Sequence, residues 1–220
     1  MKDLSCLLAG LINLCGPMIM LTFWSKKTGA RAFPAVAAFL VCFPVFIAGN
    51  AIRSGFDHSS PILFYIQQGL LFGILEESTK YLMMRYFLTS YDNRKDAVTY
   101  SIGHGAYEEL GIGITCLGLI GTGNAAPDIL FFQLFSVSTE VISDAAVAVI
   151  IFYGIHKQKS FVTLSAAILT HTVSNASVGI FIEPVAILLR TLISVGLCYA
   201  GYQCWKSLKS PLRNNTDMFF

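Results

Sequence analysis

Apolar residues arrive in seven long blocks, and that pattern decides what the chain can fold into. The blocks run from Leu4 to Trp24, Phe33 to Ile52, Ile62 to Leu88, Val98 to Ile120, Ile129 to Tyr153, Phe161 to Ile182 and Val185 to Trp205. Each is near the ~20 residues that a helix needs to cross a bilayer. In hydrocarbon, backbone N–H and C=O groups must be satisfied within their own segment, so these blocks predict transmembrane helices rather than isolated strands. The expected fold is all-α, a polytopic transmembrane bundle of about seven helices. With 55% hydrophobic and 13% charged residues among 220, no soluble domain is left over, and residues 1–220 read as a single integral membrane domain.

The first block follows Lys2 but is too long for the apolar core of a secretory signal. It also lacks a small-x-small cleavage site before Lys26 and Lys27, so it is expected to be a retained helix. Counted by alternating side, Lys26, Lys27, Arg31, Arg94, Lys95, Lys157, Lys159, Lys206, Lys209 and Arg213 share one face of the membrane. The other face holds only Lys2 and Arg53. The positive-inside rule then predicts an outer N-terminus and a cytoplasmic C-terminus. The net charge of +2 gives no sign of a nucleic-acid partner, and the neighbour implied throughout is the lipid bilayer. Cys6, Cys15, Cys42, Cys116, Cys198 and Cys204 follow no C-x-x-C or zinc-finger spacing and read as packing residues. Gly103, Gly105, Gly111, Gly113 and Gly118 crowd the fourth block, a small-residue surface suited to close helix approach.

Ionisable residues inside such helices are costly and mark functional sites by default. Glu76 and Glu77 lie roughly 17 Å from the cytoplasmic end of the third helix, at 1.5 Å per residue. His104 and Glu108 fall about 9 to 15 Å into the fourth helix, and His171 and Asn175 about 15 to 21 Å into the sixth. Glu140 and Asp144 of the fifth helix occupy the same layer. Glu76 with Lys80, His104 with Glu108, and His171 with Asn175 are i,i+4 pairs that share a helix face. Four helices thus offer polar faces at one depth, and a buried, water-accessible site is the simplest arrangement that accommodates them.

Taken singly, Glu76 with Lys80 reads as a structural ion pair and His104 as a residue bonded to a carbonyl across a glycine-lined contact. Glu140 and Asp144 either line the cavity or balance Lys80. Glu109 is about 100° round the helix from Glu108 and is expected to stand behind the site, while Arg190 is expected to snorkel. Carboxylates and histidines at mid-membrane also build proton relays, so a transporter or proton-coupled channel is the alternative function. The chain has no evident internal repeat or broken-helix pair to support it. A non-catalytic membrane scaffold is a further alternative.

Three of these polar clusters carry a family resemblance. Glu76-Glu77-Ser-Thr-Lys80 resembles the EExxK motif of PrsW-type proteases, in the superfamily of CAAX prenyl endopeptidases, and His171-Thr-Val-Ser-Asn175 resembles that superfamily's HxxxN/D motif. Gly103-His104-Gly105-Ala-Tyr-Glu108 resembles the glycine-rich HxxxE element of the YhfC branch of intramembrane peptidases. The resemblance covers a motif-bearing core over residues 62–182. The superfamily's middle motif usually begins with Phe where this chain has His104, and its CAAX branch has Arg where this chain has Lys80.

The resemblance implies an intramembrane endopeptidase, in a bacterial plasma membrane, that cuts a membrane-associated protein or peptide. It implies Glu76 as the group that activates water, His171 and Asn175 as donors to the oxyanion, and Glu77 as an orienting residue or a partner of Lys80. Glu108 would share in binding the water, with His104 as an additional group. A zinc site on His104, Glu108 and His171 is the metal-dependent version. Without an H-E-x-x-H spacing, the expectation leans to the metal-independent one. Specificity is expected to come from the bundle, its short loops and the tail from Lys206 to Phe220.

Overall fold

The structure is a computed structural model that describes residues 2–91, 93–122, 124 and 129–208, without the side chains at 129, 131–133 and 136–138. Lys209, Arg213 and the tail to Phe220 lie outside the described residues. Seven α-helices make up the bundle among the described residues. They are α1 (Lys2–Thr28), α2 (Phe33–Arg53), α3 (Pro61–Leu82), α4 (Arg94–Gly118), α5 (Ile129–His156), α6 (Ser160–Ile180) and α7 (Glu183–Ser207). They match the seven apolar blocks, and α3 continues through a π-helical turn at Met83–Phe87 to the end of its block.

Local chemistry sets several of the boundaries. Ser60 accepts the N–H of Leu63, and Pro61 begins α3 where no donor is needed. Asn93 caps α4 by accepting the N–H of Lys95 at 2.9 Å. Only Phe181 and Ile182 separate α6 from α7, the tight connection expected at Glu183-Pro184.

Five helical segments are long and apolar enough to cross a membrane, lying in α1, α2, α5, α6 and α7. The two helices outside that set are α3 and α4, which carry Glu76, Glu77, Lys80, His104 and Glu108. These polar residues lower their hydropathy, and the surrounding helices screen them from lipid. The chain is an integral, multi-pass membrane protein.

Contacts at the two ends agree with the alternating count. At the basic end, Lys95 Nζ donates to the Thr28 carbonyl at 2.7 Å and Trp24 Nε1 to the Lys95 carbonyl at 3.1 Å. Arg31 pairs with Asp96 at 2.7 Å, and Arg94 donates to the Leu208 carbonyl at 2.7 Å, satisfying an orphan acceptor past the end of α7. At the other end Asp3 accepts from the Gly121 N–H at 3.0 Å.

Helices α4 and α5 form the centre. α4 buries residues from Asp96 to Cys116, while α5 buries a run that includes Val147, Ala148, Val149 and Ile151. Against this centre pack α1 and α2 on α4, and α6 and α7 on α5. A second close contact joins α3 to α6, and two glycines permit it. A Cβ at Gly69 would lie 2.6 Å from the Thr172 carbonyl oxygen, and one at Gly73 would lie 3.0 Å from that of Ile168. This Gly-x-x-x-Gly spacing lets the two backbones nearly touch, which places Glu76 and Glu77 beside His171. The glycine-rich surface foreseen on α4 is used only in part. Gly103 and Gly113 meet α2 and α1, whereas Gly111 and Gly118 face open space.

Candidate active site

Lys80 anchors the interior. Its ammonium is fully buried and lies 3.1 Å from Glu77 Oε2, one helical turn back on α3. It also pairs with Asp144 of α5, whose other oxygen accepts from Ser101 of α4 at 2.9 Å. A cation in hydrocarbon needs this kind of paired, hydrogen-bonded setting. Of the partners expected for Lys80, the structure shows Glu77 and Asp144 in contact with it, while the i,i+4 pairing with Glu76 is not formed. The i,i+3 neighbour and a carboxylate from another helix enclose the ammonium, while Glu76 turns toward α4 and α6.

Glu76 is the meeting point of two histidines. Its Oε2 is 3.3 Å from His104 Nε2 and 3.5 Å from His171 Nε2. His171 Nδ1 is 2.8 Å from Glu77 Oε1. An ionised Glu77 can only accept in that contact, so Nδ1 carries a proton there, and the opposite ring nitrogen, Nε2, is the one that faces Glu76. His104 Nδ1 lies 3.3 Å from Cys42 Sγ on α2, and its Nε2 is 3.8 Å from Glu108 Oε1. One connected set of side chains thus runs from Ser101 through Asp144, Lys80, Glu77, His171, Glu76 and His104 to Cys42, drawn from five helices.

Glu76, His104 and Glu108 each bring one ligand atom within 4.8 Å of the others. The metal set expected from the sequence was His104, Glu108 and His171; the group whose ligand atoms lie close together is Glu76, His104 and Glu108, with His171 bonded to Glu77 and its Nε2 3.5 Å from Glu76. One imidazole nitrogen and two carboxylate oxygens suit a divalent cation such as zinc. The Glu108 carboxylate, 39% exposed, keeps one side of the group open. The residues therefore fit a metal centre with three protein donors.

The group opens into a cavity of about 760 Å³ lined from α2 through α7. Glu76, Glu77, His104, Glu108, His171 and Asn175, the six residues singled out in the sequence, all line it. Phe43, Phe46, Phe72 and Tyr107 give it an apolar aromatic wall, with Tyr107 edge-on to Phe43 at 4.8 Å between centroids. Glu109 is fully buried and is not among the lining residues. Arg190 does not snorkel. It is 13% exposed, lines the cavity and pairs with Glu140.

Two participants escaped the sequence reading. Cys42 sits in an apolar block with no motif and carries no signal. Asp144 was expected to line the cavity or to balance Lys80, and it does both. Arg190 was misjudged because position along one helix says nothing about which way that helix is rotated.

An all-helical, multi-pass membrane protein with carboxylates and histidines gathered around an internal cavity is the class that this fold and site define. Residues 28–125, just under half of the chain, match the family described as YhfC intramembrane metalloprotease. That stretch spans α2 to α4 and contains both the Glu76–Lys80 and Gly103–Glu108 motifs, so it bears out the YhfC resemblance there. No curated protein and no solved structure matches the chain.

Proposed function

We propose that the chain is an intramembrane metallopeptidase of bacterial plasma membranes that cleaves a membrane-associated protein or peptide. The observation that carries this reading is the convergence of Glu76, His104 and Glu108 on one open point of the cavity, with His171 alongside. Glu76, His104 and Glu108 would hold a divalent cation, which when bound supplies Lewis-acid activation of water and of the scissile carbonyl.

The chain's own residues supply the proton traffic. Glu76 would give one carboxylate oxygen to the cation and with the other take a proton from the attacking water while the water oxygen bonds to the carbonyl carbon. His171 Nε2, 3.5 Å from Glu76 Oε2, receives that proton. Glu77 stabilises the resulting imidazolium through Nδ1, as a buried carboxylate steadies the histidine of a hydrolytic triad. His171 then gives the proton to the amine as the C–N bond breaks. Asn175, on the same face of α6 and in the cavity wall, donates its amide N–H to the oxyanion. The Lys80 pairs with Glu77 and Asp144 hold this constellation in place.

The test is cleavage of a membrane peptide library by purified protein in nanodiscs, combined with elemental analysis. Stoichiometric zinc, activity lost to a chelator and restored by zinc, and a drop of at least about a hundredfold in Glu76→Gln are expected. An active, folded Glu76→Gln variant would overturn the assignment. Activity that survives complete metal removal would overturn its metal-dependent form.

A further inference from the structure

We infer that Arg190 forms a subsite for a carboxylate of the substrate peptide, within the cavity that holds Glu76. This inference rests on the peptidase reading and adds the chemistry that the bound peptide must carry.

Arg190 sits on α7 inside the bundle, at 13% exposure, in the wall shared with Glu140, Ser143 and Ser194. A guanidinium offers five N–H donors in a planar fork suited to gripping a carboxylate through two parallel bonds. Here one nitrogen, Nη2, meets one oxygen of Glu140. The rest of the fork has no hydrogen-bond partner among the described residues, and Arg190 belongs to the cavity wall. Donors left open in a low-dielectric wall await an acceptor that enters from the cavity.

The surroundings specify the kind of acceptor. Next to Arg190, the Ser143 and Ser194 hydroxyls stand 2.7 Å apart and add polar atoms to the same wall. Elsewhere the cavity is lined by Phe43, Phe72 and Tyr107. A volume of about 760 Å³ accommodates a short apolar peptide segment rather than a whole helix. A carboxylate joined to apolar side chains suits both walls, and it comes either from the peptide's C-terminus or from an acidic side chain.

Binding of three probes to the full chain in nanodiscs tests this without requiring turnover. The probes are N-acetyl-trileucine with a free carboxylate, its C-terminal amide, and that amide with a central glutamate. The wild-type protein should bind at least one acidic probe about tenfold more tightly than the neutral amide, the scale of one hydrogen bond to a charged group. Preference for the free acid alone assigns a C-terminal carboxylate, and preference for the internal glutamate assigns an acidic side chain. Arg190→Gln should abolish the preference, and Arg190→Lys should keep part of it. Arg190→Gln combined with Glu140→Gln removes both charges together and serves if the single variant fails to fold. Glu76→Gln should keep the preference, so failure of the peptidase reading shows in cleavage and failure of the subsite shows in binding. Equal binding of all three probes by the wild type, or a preference that survives loss of Arg190, overturns the inference.

Discussion

Replacing Lys80 by Met tests whether the buried ion pairs hold the site together. The ammonium is fully buried, 3.1 Å from Glu77 and in contact with Asp144, so the substitution leaves two carboxylates facing each other without their cation. At an effective dielectric of about 20, a separation of 3.1 Å corresponds to an attraction of about 5 kcal/mol before desolvation is subtracted. Asp144 retains 18% exposure and a bond from Ser101, so it can remain charged, while Glu77, 1% exposed, must take up a proton. Protonating an ordinary carboxyl group near neutral pH costs about 4 kcal/mol, at 1.36 kcal/mol for each of roughly three pH units. Breaking a buried pair by removing one partner typically costs about 3 to 5 kcal/mol. The two routes agree, and Lys80→Met is expected to lose about 4 kcal/mol. SDS titration in mixed micelles, followed by tryptophan fluorescence, provides the assay. Trp24 and Trp205 lie edge to face 6.3 Å apart, so separation of α1 from α7 changes their emission. Adding Glu77→Gln should recover about half of the loss, because the carboxylate that would otherwise have to take up a proton disappears with the cation. A single-variant loss below about 1 kcal/mol, or a double variant less stable than the single, refutes the reasoning.

The remaining predictions concern geometry and the metal. Gly69→Ala should push α6 away from α3, cost about 1 to 3 kcal/mol and lower cleavage by about a hundredfold. Gly118→Ala, where nothing lies within 4 Å and which is outside the cavity wall, should lower neither in the same unfolding and cleavage assays. Cys42→Ala removes the contact that orients His104 through Nδ1, so a competition titration should show zinc affinity lowered about 10- to 100-fold; unchanged affinity would remove Cys42 from the site. His171→Ala should lower cleavage by about 10²- to 10⁴-fold while leaving the zinc stoichiometry intact. Loss of the metal in that variant would instead return His171 to the ligand set.

Much of the architecture was legible before any tertiary structure. The apolar blocks gave seven helices because backbone satisfaction in lipid leaves few other solutions, and the lysine and arginine count grouped their ends correctly. Rise per residue placed Glu76, Glu77, His104, Glu108, His171 and Asn175 at one depth, and the cavity lies at that depth. Helical spacing also brought His104 together with Glu108, since both members of that pair belong to one rigid helix.

Partnership between helices was not legible, because it depends on the rotation and separation of each helix about its own axis. Spacing alone joined Lys80 to Glu76, but the rotation of α3 against α5 and α6 gives Lys80 to Glu77 and Asp144 and turns Glu76 to the two histidines. The same cause puts Glu76 in the candidate metal group, brings in Cys42, and turns Arg190 from the lipid surface to the cavity wall. Those rotations rest on contacts between small residues, Gly69 and Gly73 against α6 and Gly103 against α2, where closest approach is decided by atoms a sequence pattern does not place. The sequence by itself determined which residues lie at the depth of the site. Packing of seven helices against one another decided which of them touch.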